Sequence, residues 1–336
     1  MMVGNIGSFG EILLRYAPDI QGDWLKNQSM SSYIGGAELN VASALAKWGL
    51  PVKYITAVPE NYLGHALVDF VAEKNIQQSD IVFSGSRVGA YYLPVGLELK
   101  HAGVIYDRAH SAFSELQPGQ LDWEKIMGDC SWFHFSALSP ALNENVAAVC
   151  KDALEVASRK GLTISVDLNY RSKLWQYTSN PAPIMDGLVK YCDVVMGNVW
   201  AVESLLGIPS SVKTSEGKTK AELTDAAAES MLRLHQRYPK SKIFAYTYRL
   251  EQQYWALLQK ENQLVSSGQY ALESLVDKVG SGDCFMAGLI YGLYHQLDPQ
   301  HIIDYATAAA VGKLQEAGDN TNQTVEMIEQ RMILLK

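Results

Sequence analysis

At 336 residues the chain is long enough for one large α/β domain or for two, and 48% hydrophobic against 19% charged residues supply a substantial core. That excludes a disordered tail, a linker or a small stapled scaffold. Lys and Arg total 28 against 36 Asp and Glu, a net charge of -8, which excludes a broad electrostatic footprint for nucleic acid or an anionic membrane while leaving room for a local anion pocket.

The chain starts Met-Met-Val-Gly-Asn-Ile-Gly-Ser-Phe-Gly, with no basic segment ahead of an apolar core, and no apolar run reaches bilayer length, so a soluble cytoplasmic protein is expected. Gly4, Gly7 and Gly10 lie near the first strand but do not complete a dinucleotide-binding GxGxxG. Asp23 to Tyr33 is polar and irregular. Ala37 to Trp48 reads as a helix and Tyr54 to Val58 as a buried strand. Val95, Leu97 and Leu99 alternate with Gly96, Glu98 and Lys100 and lead into Val104-Ile105-Tyr106, the pattern of a half-exposed hairpin. Residues 13–33 and 87–112 are thus expected to form a small sheet beside the main one, either a lid over a site or an ordinary edge hairpin. Trp132 to Phe135, Ile164 to Val166, Val194 to Met196 and Ile243 to Thr247 read as buried strands; Ala141 to Arg159, Ala221 to Tyr238 and Cys284 to His295 read as helices. Strands alternating with helices predict a mostly parallel sheet covered on both faces, in one large domain.

Several chemistries are absent. Cys130, Cys150, Cys192 and Cys284 are far apart with no CxxC, which argues against a disulfide framework or a thiolate zinc site and for a reducing compartment. The seven histidines are dispersed, and neither GxxxxGK[ST] nor GxSxG occurs.

The most informative segment is Asp277-Lys278-Val279-Gly280-Ser281-Gly282-Asp283-Cys284. A small-residue turn runs straight into a nearly uncharged helix, whose buried N-terminus offers unpaired N–H groups and a positive dipole end to an anion. Asp283 would sit beside that anion, where accepting a proton from an attacking hydroxyl gives a carboxylate a reason to be. Taken alone, an N-cap behind a glycine turn accounts for Asp283 as well. In Gly35-Gly36-Ala37-Glu38-Leu39-Asn40, a glycine pair opens another buried helix, and the Asn40 amide needs a partner, either a sugar hydroxyl or a backbone carbonyl. Tyr91, Tyr92, Tyr106 and Arg108 fall in the expected lid, and Arg171 follows a strand end. Two such arginines suit an acidic ligand, unless they merely pair with Asp107 or Asp167.

Together these segments resemble the signatures of the PfkB, or ribokinase-like, carbohydrate kinases. Gly35-Gly36 through Asn40 and Ala42 looks like the N-terminal signature, and Asp277 through Gly280, Gly282, Asp283 and Gly288 like the C-terminal one. Within the family the chain is most similar to the 2-keto-3-deoxygluconate kinases, on Gly10 to Arg15, Arg87 to Leu93, Val104 to Ala109 and Asp167 to Arg171. The resemblance implies a three-layer αβα sandwich with a small β-sheet lid that commonly doubles as a homodimer surface. It implies ATP and Mg²⁺ as cofactors, and a monovalent cation such as K⁺ near the loop, where Asp277 has a fitting position. It further implies Asp283 as general base, with the N–H groups of Gly280, Ser281 and Gly282 on the transferred phosphoryl group. Tyr92, Tyr106, Arg108 and Arg171 would hold a keto acid, Gly35, Gly36 and Asn40 would face its hydroxyls, and Asn198, Thr247 and Arg249 would stand on the nucleotide side.

The family pattern calls for Glu at 201, where this chain has Ala201, with Glu203 two residues on; no metal ligand is assigned. Lys278 and Cys284 also depart from the usual residues. Two other readings stay open: a kinase for a neutral ketose such as fructose or tagatose, and a non-catalytic sugar or nucleotide sensor on the same fold.

Overall fold

The computed structural model describes residues 4–19, 21–95 and 103–333. The short apolar runs become a ten-stranded sheet. Its parallel part comprises β1 (Asn5–Phe9), β4 (Val52–Val58), β5 (Ile81–Phe83), β8 (Cys130–Ser136), β9 (Thr163–Asp167), β10 (Val194–Gly197) and β11 (Ile243–Arg249). β12 (Gln253–Lys260), β13 (Gln263–Ser266) and β14 (Tyr270–Ala271) add to it antiparallel. Both faces of the parallel part are covered, so its strands are apolar without interruption rather than alternating. In β10, Val194 and Met196 enter one core and Val195 the other.

The core around Val195 is closed by α5 (Glu144–Arg159), α6 (Ala182–Val189), α7 (Val199–Leu206) and α8 (Lys220–Arg237), with the one-turn α4 (Trp123–Ile126) beside them. The opposite core is closed by α2 (Ala37–Lys47), α3 (Tyr62–Glu73), α9 (Ser281–Tyr294), α10 (Pro299–Lys313) and α11 (Val325–Ile333). This is the expected three-layer αβα arrangement. Helix boundaries follow their caps: α5 starts at Glu144 rather than Ala141 because Asn143 is extended and its side chain accepts from the Val146 N–H. α8 starts at a reciprocal capping box between Thr219 and Glu222. Inside the sheet, Ser165 Oγ accepts from Trp132 Nε1 at 2.8 Å and lies 3.0 Å from His134 Nδ1. Burial lowers His134 to about 3, so it is a neutral structural residue.

A second sheet of four strands stands off the first, in the order β3 (Ser31–Gly35), β2 (Leu13–Ala17), β6 (Gly89–Tyr92), β7 (Ile105–Asp107). The stretch expected to be irregular, Asp23 to Tyr33, instead holds the one-turn helix α1 (Asp23–Asn27) and most of β3, which pairs with β2. β6 and β7 pair antiparallel as the hairpin pattern suggested. The alternating segment at Leu97 and Leu99 lies outside the described residues.

The chain lays β4 and β5 on one side of β1 and then β8 to β11 on the other. Where the winding of an open sheet reverses, the carboxyl ends of its strands flank a crevice. Among the described residues no helix is long and apolar enough to cross a membrane, and the four cysteines are free.

Candidate active site

At those carboxyl ends a cavity of about 720 Å³ runs between the small sheet and the N-terminus of α9, within the range of small-molecule sites. Gly280 caps α9 with φ 79°, and a Cβ there would come within 2.1 Å of the Asp319 carbonyl oxygen, so only glycine fits. Cys284 N–H already bonds to the Gly280 carbonyl, which leaves the N–H groups of Ser281, Gly282 and Asp283 as the unpaired donors of the helix end. The Ser281 hydroxyl points away and donates to Ala310 O at 3.1 Å. A Cβ on Gly282 would meet nothing within 4 Å, so a flat stretch of backbone faces the cavity.

Asp283 lies in the first turn of α9 and caps nothing. It lines the cavity yet is buried, and Asn40 Nδ2 donates to its Oδ2 at 2.7 Å. Burial raises Asp283 to about 7; the Asn40 hydrogen bond pulls the other way, and the nearby Glu38 carboxylate adds to the rise. Asn40 therefore spends its amide nitrogen on Asp283, while its buried Oδ1 has no protein partner.

At the small-sheet end the cavity is lined by Gly36, Tyr91, Tyr106, Arg108 and Arg171. Arg108 is buried and pairs through Nε with Glu11 Oε2 at 2.5 Å, while Ser111 donates to the other oxygen at 2.5 Å. The expected partner Asp107 instead pairs with Arg87. Arg171 donates to Tyr170 O at 2.9 Å and reaches the Tyr106 hydroxyl. Two expected ligand contacts are corrected. Tyr92 is not on the cavity: side chains alternate along β6, so Tyr91 faces in, level with Tyr106, while Tyr92 stacks on Tyr16 at 5.4 Å. Gly35 is off the cavity too; it ends β3, and a Cβ there would strike the Asp319 carboxylate at 2.3 Å.

At the opposite end Asn198, Trp200, Thr247 and Arg249 line the cavity with the loop Lys213, Thr214 and Ser215, which the sequence did not flag. Asn198 caps α7 by accepting from Ala201 N–H at 2.9 Å. Arg249 reaches the Lys278 carbonyl at 3.3 Å, joining this end to the glycine turn. Glu203 does not replace the missing glutamate; it is paired with Lys213 at 2.5 Å. Among the described residues no group of three His, Cys, Asp or Glu could hold a metal. The residues therefore fit Mg²⁺ only as an ion that nucleotide phosphates carry in, with Asp167 and Asn198 on the same wall.

Behind the turn, Arg15 forks onto both oxygens of Asp277 at 2.5 and 3.2 Å, and its Nε lies 2.9 Å from Asp319 Oδ1. Tyr91 donates to Asp319 Oδ2 at 2.6 Å. Asp277 is thus engaged by the chain itself, and the residues there do not fit a bound monovalent cation.

A helix end with unpaired N–H groups, a buried carboxylate beside it and a cavity at a sheet's reversal point fit a phosphotransferase acting on a small acceptor. The chain matches the pfkB family carbohydrate kinase profile over residues 5–325 and belongs to that family, as an ATP-dependent sugar kinase. It is 28% identical over 214 residues to 2-dehydro-3-deoxygalactonokinase of Haloferax volcanii, covering 63% of this chain and 66% of that one. It is 24% identical over 288 residues to 5-dehydro-2-deoxygluconokinase of Geobacillus kaustophilus, covering 85% and 80%. The solved structure of 2-dehydro-3-deoxygluconokinase from Thermotoga maritima superposes with a TM-score of 0.88 at 32% identity, covering 98% of this chain and 99% of that one.

Proposed function

We propose that this kinase phosphorylates a hydroxyl of a keto-deoxy sugar acid, with 2-keto-3-deoxygluconate as the acceptor. The observation that carries the acid is the pair Arg108 and Arg171, both bearing on Tyr106 in the cavity that holds Asp283. A neutral hexose offers two guanidinium groups nothing to grip, whereas a carboxylate takes an arginine fork directly. The relatives named for keto-deoxy sugar acids support the same class.

In this reading the acid end of the sugar lies at Arg108, Arg171 and Tyr106, and its hydroxyls meet Gly36 and the Oδ1 of Asn40. The reacting hydroxyl gives its proton to Asp283 as its oxygen bonds to the γ-phosphorus, and the bond to the bridging oxygen of ADP breaks. The N–H groups of Gly280, Ser281 and Gly282 stabilise the charge spread over the phosphoryl oxygens. Bound Mg²⁺ neutralises the phosphates. Asn198, Thr247 and Arg249 hold the nucleotide side, and the small sheet is the lid of a single kinase domain. The exposed Ile105 of β7 and Leu25 of α1 support a homodimer through that lid, and the free cysteines fit a cytoplasmic enzyme.

ADP release measured over a panel of keto-deoxy sugar acids and neutral ketoses tests the reading. Fast turnover of 2-keto-3-deoxygluconate is expected. Preference for fructose or tagatose would point to the neutral-sugar kinase, and no turnover with any acceptor to a sensor.

A further inference from the structure

Lys313, the last residue of α10, is fully buried and plays no part in the transfer described above. Its ammonium donates to the carbonyls of Gly318 at 2.7 Å and Glu316 at 3.1 Å. Its stem supports the phosphate-cradling turn: a Cβ on Gly280 would lie 3.2 Å from Lys313 Cε. The same end of α10 straps the segment leading into that turn, because Leu314 O accepts from the N–H groups of Val276 and Asp277 at 2.8 and 3.3 Å. Burial lowers the Lys313 ammonium from its ordinary value, while Asp277, Glu316 and Asp319 pull the other way; Asp277 and Asp319 are also paired with Arg15.

A buried ammonium persists only where oxygens replace its water. Here the carbonyl oxygens of Glu316 and Gly318 do so, helped by the negative end of the α10 dipole and by the more distant charges of Asp277, Glu316 and Asp319. That is also the donor set an alkali cation would need: backbone carbonyls and a carboxylate beside the turn. In this chain the carbonyls are taken by Lys313 and the carboxylate by Arg15. An ammonium carries the same single charge as K⁺ in a similar volume, with compact donors rather than a planar fork.

We propose that Lys313 is a built-in cation that stands in for a bound alkali metal ion behind the Gly280–Gly282 turn, so that phosphoryl transfer does not depend on K⁺. Lys313 is a positioning residue. It ties the 316–319 segment to the turn and puts a fixed positive charge beneath the N–H groups that receive the transferred phosphoryl group. The catalytic part rests on the kinase reading; the cation part does not.

The test compares the thermal midpoint and the kinase rate of the full chain in KCl, NH₄Cl, NaCl and tetramethylammonium chloride at equal ionic strength. For the unaltered protein, the rate is expected to agree within about twofold across all four salts, with no K⁺-specific rise in Tm. Lys313→Ala opens a hole the size of the ammonium. Its kcat should fall at least about tenfold in tetramethylammonium chloride and recover in K⁺ or NH₄⁺, with a Tm rise in the same two salts. Lys313→Met fills the volume without charge and should be slow in every salt. A K⁺-specific rise in rate or Tm of the unaltered protein overturns the proposal, as does a folded Lys313→Ala that keeps its full rate in all four salts. If no acceptor is phosphorylated, the kinase reading fails while the Tm comparison still decides the cation claim. If Lys313→Ala does not fold, the unaltered protein decides it alone.

Discussion

At the Asp283 end of the cavity the acidic groups are held by buried partners from far along the chain: Asn40 reaches Asp283 across 243 positions and Arg15 reaches Asp277 across 262. At the proposed nucleotide end Glu203 pairs with Lys213, ten positions apart and partly in solvent. Removing one member of a buried pair strands the other in a medium that cannot solvate it, whereas a solvated pair loses little. The Asp283 end is therefore fixed by buried partners distant in sequence, one a hydrogen bond and one an ion pair, whereas the proposed nucleotide end has a local, solvated pair.

The largest effect should come from Asp283→Asn, which keeps the shape and removes the proposed proton acceptor. Its kcat should drop by about 10²–10⁴, measured by ADP release, while ATP binding by calorimetry stays intact. The same change should raise Tm near pH 8. Asp283 is raised in the folded chain to about 7, against about 3.9 unfolded. The folded state thus holds the extra proton, and stability is lost as pH rises through that window. The gain from Asn should vanish toward about pH 4; an equal gain at both pH values would break this account of the burial.

Arg15→Met should be next, leaving Asp277 and Asp319 buried without the guanidinium that pairs directly with both. A loss of about 3–5 kcal/mol in denaturant unfolding is expected, and a loss near that of a surface pair would erase the contrast between the two ends. Arg171→Ala should raise KM for the keto acid about 10–100-fold and barely change KM for fructose; equal changes would argue for a neutral acceptor. Glu203→Gln should have the smallest effect, less than about twofold in kcat. A large effect there would mean that Glu203 leaves Lys213 to serve the metal.

Five strands of the parallel sheet and four of its helices were legible in the sequence, as short apolar runs and periodic stretches, from Tyr54 to Val58 through to the buried helix after Gly282; β1, β5, α3, α6, α7, α10 and α11 were not read, and α10 is buried nearly all round, which leaves no amphipathic period to find. The helix end at Gly280 to Asp283 was legible for the same local reason, since a glycine turn entering an uncharged helix leaves N–H groups to satisfy. What the sequence did not show depends on parity or on distance. Whether Tyr91 or Tyr92 faces the cavity turns on the register of β6 with β7. The partner of Arg108 is Glu11, which β1 and the small sheet bring in from 97 positions away. Lys313 and Asp319 sit in segments without a motif; only their burial marks them.

The central claim is that burial turns Asp283 into a base that works near neutrality. The pH dependence of kcat/KM for 2-keto-3-deoxygluconate tests it most directly, because that quantity titrates the base in the free enzyme. The carboxylate is active and the acid is not, so kcat/KM should climb with unit slope as pH rises and level off above a midpoint of about 7. A profile already flat from about pH 5 upward would show an ordinary exposed carboxylate and contradict the account.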